Sequence, residues 1–185
     1  MLKQKVYEIN EFVAKLYHEN LYKPTAKEAQ EYVKKRKLDN ATLKKFMIGF
    51  SGGGTEVYKL LIEKGYTDEE IVASNLVRKT SFGYVDVYKD RLMFPIQDIR
   101  NRVIAFGGRT LIPDEKPKYI NSKEGIVYFK GRNLYAMNIA KSANMGKIIM
   151  VEGYMDAVSL HQRGIPNVVA SLRNSTYRGT SKATS

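Results

Sequence analysis

The sequence predicts an α+β fold, in which a basic, helical and small-sheet N-terminal subdomain precedes the first β-α-β of an α/β unit. Three observations lead there. Apolar residues recur at steps of three and four through residues 2–74, short apolar runs punctuated by Pro and Gly take over from residue 91, and a strand–helix–strand pattern occupies 147–172. The expected divisions are a basic subdomain over 1–143, a partial α/β subdomain over 144–172 and a tail over 173–185.

Leu2, Val6, Ile9, Phe12, Val13 and Leu16 line one face of a first helix. Pro24-Thr25 opens a second, with Thr25 and Glu28 in capping-box spacing, Ala29, Tyr32 and Val33 on its buried side, and Lys34-Lys35-Arg36-Lys37 at its negative end. Asn40 is positioned to cap a short third helix. Ser51-Gly52-Gly53-Gly54 reads as a flexible break, since the spacing of a phosphate-binding loop is missing. Helices follow over 56–64, ended by Gly65, and from a second capping box at Thr67 and Glu70 to about residue 74. The segment 75–90 has no clear period and is expected to be irregular.

Runs at 92–96 and 103–106 flank Asp98-Ile99-Arg100-Asn101-Arg102 and predict a β-hairpin. Short strands and loops are expected over 109–135, then a helix over 134–143. A buried strand at 147–151, a helix at 155–162 and a strand at 167–172 imply a parallel pair. His161 is expected on the helix surface. The tail over 173–185 has six Ser or Thr and only Ala183 as an aliphatic residue, so it cannot bury a useful face and is expected to be disordered.

Composition narrows the function. No window is apolar enough for a membrane span or a secretory signal. The absence of cysteine excludes disulfides, thiolate zinc sites and cysteine nucleophiles, and it fits a reducing, cytoplasmic setting. A net charge of +12, or +9 for residues 1–172, points to a polyanionic partner, with nucleic acid ahead of a membrane surface.

Four motifs carry chemistry. In Glu152-Gly153-Tyr154-Met155-Asp156, Glu152 ends a parallel strand and Asp156 falls in the first turn of a helix, where two hard oxygen donors suit Mg²⁺ or Mn²⁺. The plainer alternative is a loop charge and a helix-dipole partner. Phe106-Gly107-Gly108-Arg109 allows close backbone approach beside a guanidinium fork, or is a bulged hairpin end with a solvated Arg. Pro117-Lys118-Tyr119-Ile120-Asn121-Ser122 and Phe129-Lys130-Gly131-Arg132 interleave cations with aromatics, a mixture that suits single-stranded nucleic acid.

Taken in order with Arg91-Leu92-Met93-Phe94-Pro95-Ile96, Leu134-Tyr135 and the upstream Tyr32-Val33-Lys34-Lys35-Arg36 and Phe46-Met47-Ile48-Gly49-Phe50, these motifs resemble bacterial DnaG-type DNA primases over residues 1–172. The resemblance implies an RNA-polymerase core that begins a Toprim fold and copies single-stranded DNA template into RNA primers from ribonucleoside triphosphates. It implies that Arg36, Arg109, Lys118, Tyr119, Asn121 and Lys130 engage template and nucleotide. It also implies that Glu152 is a catalytic carboxylate and metal ligand, with Asp156 supporting the Mg²⁺ or Mn²⁺ cluster.

Departures qualify the resemblance. The family's cysteine-bearing zinc domain is missing, and no acid follows Asp156, so the family's later Asp-x-Asp pair is missing too. The expectation is a shortened or frameshifted chain that binds template and nucleotide but is weakly active or inactive. Contact with the replicative helicase would need a domain absent here. A non-catalytic single-stranded nucleic-acid-binding module is the alternative. Other Toprim enzymes, such as topoisomerases, do not carry the Phe-Gly-Gly-Arg and Pro-Lys-Tyr motifs.

Overall fold

The computed structural model describes residues 1–173, so the expected tail lies outside the described residues from residue 174 onward. The first helix, α1 (Leu2–Leu21), buries Val6, Ile9, Val13, Leu16 and Tyr17 on the predicted face and runs one turn longer than its pattern required. The extra turn carries Asn20 and Leu21, both buried. Strand β1 (Gly49–Phe50) crosses this helix backbone to backbone. A Cβ on Gly49 would lie 2.4 Å from the carbonyl carbon of Tyr17, so only glycine allows the crossing.

A four-stranded antiparallel sheet is ordered β1-β4-β5-β6, with β4 (Arg91–Gln97), β5 (Val103–Thr110) and β6 (Tyr119–Asn121). The predicted hairpin is β4–β5, registered from Arg91 against Thr110 to Gln97 against Val103. Its turn is fixed by Asp98, which accepts from the Arg100 and Arg102 N–H groups and pairs with the Arg102 guanidinium at 2.8 Å. Because side chains alternate across a strand, β4 feeds two cores. Leu92, Phe94 and Ile96 pack with Leu43, Phe46, Tyr135 and Val158, while Met93 packs with Ile9, Val13, Tyr17 and Leu61.

Several local expectations are corrected. The Thr25–Glu28 capping box does not form, because Pro24–Ala26 is a 3-10 turn and Ala26 becomes the N-cap of α2 (Lys27–Lys35). Gln30 instead ties the turn down, its amide donating to the Leu21 and Lys23 carbonyls. The cap of α3 (Asn40–Lys45) is Asp39, which accepts from Thr42 N at 2.7 Å; Asn40 is already helical. The Gly52–Gly54 stretch is pinned, since Asp90 N donates to Gly52 O and Asp86 N to Gly54 O. The Thr67–Glu70 box forms as expected at the start of α5 (Asp68–Ala73).

The segment expected to be irregular contains a hairpin, β2 (Val77–Thr80) with β3 (Gly83–Asp86). Its polar strands hide the alternation, and its turn is held by the Thr80 hydroxyl, which donates to Gly83 O and accepts from Phe82 N. Asp86 at the end of β3 caps α4 (Glu56–Glu63) from a distance. Its carboxylate accepts from Val57 N and Tyr58 N, both at 3.1 Å, where Thr55 supplies no side-chain cap.

After α6 (Met137–Ser142), the C-terminal unit is β7 (Ile149–Val151), α7 (Tyr154–Gln162) and β8 (Val168–Ala170), with the expected parallel pairing. Strand β8 is buried, and on its other side Tyr135 makes an antiparallel bridge to Ala170. Strand β7 is not the buried strand that its apolar run suggested. Ile148, Ile149 and Met150 are 45%, 42% and 61% exposed, because only β8 flanks the strand and no described layer covers its outer face. His161 is also corrected. It is buried, Nε2 lies 2.7 Å from Val168 O, and the ring stands edge-on to Phe46, so the helix uses it to hold β8.

Asp86 gives a test of the long-range cap. Asp86→Ala leaves two helix N–H groups without an acceptor, and a loss of about 1–2 kcal/mol is expected in urea unfolding. Burial pushes the Asp86 carboxyl above its ordinary 3.8, against the pull of the Val57 and Tyr58 N–H groups. The folded chain therefore favours the protonated form. Its contribution is fully present below pH 3.8 and is lost as pH rises through the raised value. Over that rise Asp86→Asn should gain stability relative to the unsubstituted chain.

Candidate nucleic-acid and metal site

The two candidate carboxylates come from consecutive pieces of the β-α-β. Glu152 follows the last residue of β7, Gly153 is the extended N-cap of α7, and Asp156 lies in that helix's first turn. Both are exposed. As hard oxygen donors at the carboxyl end of a parallel strand they are the residues that could hold a divalent ion. Among the described residues no group of three or more Asp, Glu, His or Cys gathers to hold a metal.

Between them in sequence, Tyr154 turns inward and locks this unit to the antiparallel sheet. Its ring stacks on Phe94 at 5.2 Å and meets Tyr135 edge-on at 4.8 Å. It also lies directly over Gly107, where a Cβ would come within 2.6 Å of the ring. The paired glycines are thus needed for internal neighbours: Gly107 admits Tyr154, and Gly108 faces Tyr88, 2.8 Å from where its Cβ would stand. They do not sit at a bulged hairpin end, since the register shift in β4–β5 falls at Ile96/Gln97.

The Tyr154 hydroxyl donates to Asn121 Oδ1 at 2.8 Å, and the Asn121 amide donates to Leu172 O at 3.3 Å. Asn121 therefore ties β6 to both ends of the β-α-β. Two residues earlier on β6, Tyr119 lies 5.8 Å from Tyr154, ring to ring. Burial and the neighbouring Tyr32 raise the Tyr119 phenol, and the Arg109 and Arg36 guanidiniums pull it partly back. Those two cations converge on Tyr32. Arg109 lies 4.3 Å over its ring, and Arg36 lies 5.4 Å over it with Nε donating to the hydroxyl at 3.1 Å.

The fold thus brings together Arg36, Arg109, Tyr119 and Asn121, from α2, β5 and β6. Lys118 is exposed beside Tyr119, and its carbonyl accepts from Thr110 N. Lys130 stands apart in a 3-10 turn, lining an open cleft of about 340 Å³ with Arg132, Met150, Leu172 and Arg173. The Asn121–Leu172 bond joins that cleft to the Arg–Tyr cluster. Sequence reasoning missed Tyr32 and the Tyr154 hydroxyl as members of this surface. The first was detectable, because Tyr32 sits four residues before Arg36 on one helix face. Arg91 is a different kind of cation: buried, donating to the Gly108 and Pro117 carbonyls and paired with Glu115, it anchors the β5–β6 connection.

An α/β unit with a carboxylate at the end of its first strand, locked to a basic antiparallel sheet, defines the class, and the Toprim domain model matches residues 146–177. The DNA primase catalytic core, N-terminal domain model matches residues 16–141. The chain belongs to the DNA primase family. It is 38% identical over 180 residues to the DNA primase of Clostridium acetobutylicum, covering 96% of this chain and 30% of that protein. It is 40% identical over 171 residues to that of Aquifex aeolicus, covering 91% and 34%. A solved DnaG primase catalytic domain bound to single-stranded DNA superposes with a TM-score of 0.86 at 37% identity, over 95% of this chain and 56% of that one. The chain thus spans about a third of the curated relatives it matches.

Gly107→Ala is the direct test of the Tyr154 seat. The added methyl overpacks the ring contact, and a cost of about 1–3 kcal/mol is expected in thermal unfolding, whereas Gly131→Ala, with open space at its Cβ, should change little.

Proposed function

We propose that this chain is the template- and nucleotide-engaging part of a DNA primase catalytic core, acting in the copying of single-stranded DNA into short RNA primers from ribonucleoside triphosphates. The observation that carries the proposal is the meeting of Arg36, Arg109, Tyr119 and Asn121 on one surface, keyed by Tyr154 to the segment that bears Glu152 and Asp156. Guanidiniums supply forked donors for phosphate, and a half-buried phenol supplies a face for a base. Lys118 and Lys130 extend the cationic track on either side. A DnaG primase catalytic domain solved with single-stranded DNA supports the choice of partner.

Glu152 and Asp156 fit a divalent ion by donor chemistry, and Mg²⁺ or Mn²⁺ is the expected species. Glu152 and Asp156 would hold such an ion, and the chemistry it would supply is activation of the primer hydroxyl and stabilisation of the leaving pyrophosphate. Two exposed carboxylates form a partial donor set, so we infer that the 185-residue chain alone binds template but copies it weakly or not at all. No described helix is long and apolar enough to cross a membrane, and the partners fit a cytoplasmic replication protein.

Fluorescence anisotropy with a labelled oligothymidylate should show binding that weakens as salt rises. Arg109→Ala combined with Lys118→Ala should weaken it by about tenfold or more, and unchanged binding in the double variant would move the DNA face elsewhere. In template-directed synthesis with Mg²⁺ the chain should yield at most traces of RNA. Robust Mg²⁺-dependent oligomers would sink the partial-donor argument.

A further inference from the structure

Arg36 and Arg109 come from different elements, the C-cap of α2 and the outer half of β5, yet both guanidiniums lie over one phenol ring. Like charges placed together repel, and among the described residues neither forms a salt bridge. The group that they share is Tyr32. Its π face attracts both cations, and its hydroxyl accepts from Arg36 Nε at 3.1 Å. Arg109 is fixed further by Nη1 donating to Thr110 O at 2.8 Å, while its Nε is buried without a hydrogen-bond partner. Two oriented forks with no anion of their own are prepared for a ligand that brings two.

We propose that Tyr32 is a positioning residue that sets Arg36 and Arg109 as a paired clamp for neighbouring phosphates on one ligand. The inference rests on the functional reading above and deepens it by naming the residue that organises the surface. Neighbouring phosphates occur both in a single-stranded nucleic-acid backbone and in a nucleoside triphosphate, and the two are separated by experiment. Tyr32 touches neither in this scheme. It acts through the guanidiniums, which it spaces and partly desolvates, so that less ordering remains for the ligand to supply.

The test uses the 185-residue chain and five variants: Tyr32→Leu, which removes the ring, Tyr32→Phe, which keeps it, Arg109→Ala, and Arg36→Ala alone and in the Tyr32→Leu background. Binding of a labelled oligothymidylate is followed over a range of KCl, and binding of GTP by competition with a fluorescent analogue. Circular dichroism melting reports folding. Tyr32→Leu should weaken binding about tenfold, and Tyr32→Phe should restore most of it. If the clamp grips the backbone, the salt slope for the oligonucleotide should fall by about 1.4, two contacts at about 0.7 each. If it grips the triphosphate, GTP binding should weaken instead. Either result supports the clamp.

Arg36→Ala should also cost less in the Tyr32→Leu background than in the unsubstituted chain, since the two act as a unit. A folded Tyr32→Leu chain with unchanged affinity and slope for both probes, or a fully additive Tyr32–Arg36 pair, overturns the clamp. If Arg36→Ala and Arg109→Ala are themselves without effect on binding, the placement of the DNA face falls as well. A merely structural Tyr32 would lower the melting temperature while leaving the salt slope intact.

Discussion

The seat of the Tyr154 ring over Gly107 is the contact on which the rest of the site depends. It is a steric constraint before it is an energetic one, because the ring occupies the volume that any Cβ at position 107 would need. Once seated, the ring is held by Phe94 and Tyr135, and its hydroxyl reaches Asn121. A single side chain thereby fixes the start of α7 relative to β5 and β6. The carboxylates at 152 and 156 flank that side chain in sequence, so they inherit its placement relative to Tyr119 and the two arginines.

The sheet makes this possible by working on both faces. Strand β4 is buried from Arg91 to Ile96 and sends alternate side chains into two cores, one shared with α1 and α4, the other with α3, Tyr135 and α7. A strand covered on both sides offers no open face to a ligand, so the candidate groups gather where cover ends, at the far end of β5 and on the half-buried β6. Positive charge follows the same logic. Arg91, inside, has its carbonyls and Glu115, whereas Arg36 and Arg109, at the margin, have an aromatic ring and neutral hydrogen-bond acceptors but no carboxylate among the described residues.

How far the sequence could be read depends on how local each cause is. The Thr67–Glu70 box and the β4–β5 hairpin are decided within a few residues and were legible. The Thr25–Glu28 box has the same letters, but Pro24 draws that stretch into a 3-10 turn and the spacing fails. The cap of α4 arrives from Asp86, 29 residues downstream of Val57, a separation that no local window contains. The apolar run at 148–150 looks the same whether or not anything covers it, so exposure there was beyond sequence. The family resemblance named Arg36, Arg109, Tyr119 and Asn121, while Tyr32, which gathers two of them, is an ordinary apolar position by helical period.

The crossing of α1 by the sheet also bears on how the chain is made. Asn10 donates to Val103 O across 93 residues, and Tyr17 meets Phe106 edge-on at 5.6 Å, so the cover that α1 takes from β5 comes only after α4 and α5 have supplied theirs. Until then this helix packs Ile9 and Val13 with residues such as Leu61 and Ile71 and lacks Val103 and Phe106. Closing so wide a loop is slow, and until it closes the half-covered helix is a target for chaperones and for misassociation on the ribosome. The first element translated has its cover completed only when β5 joins it.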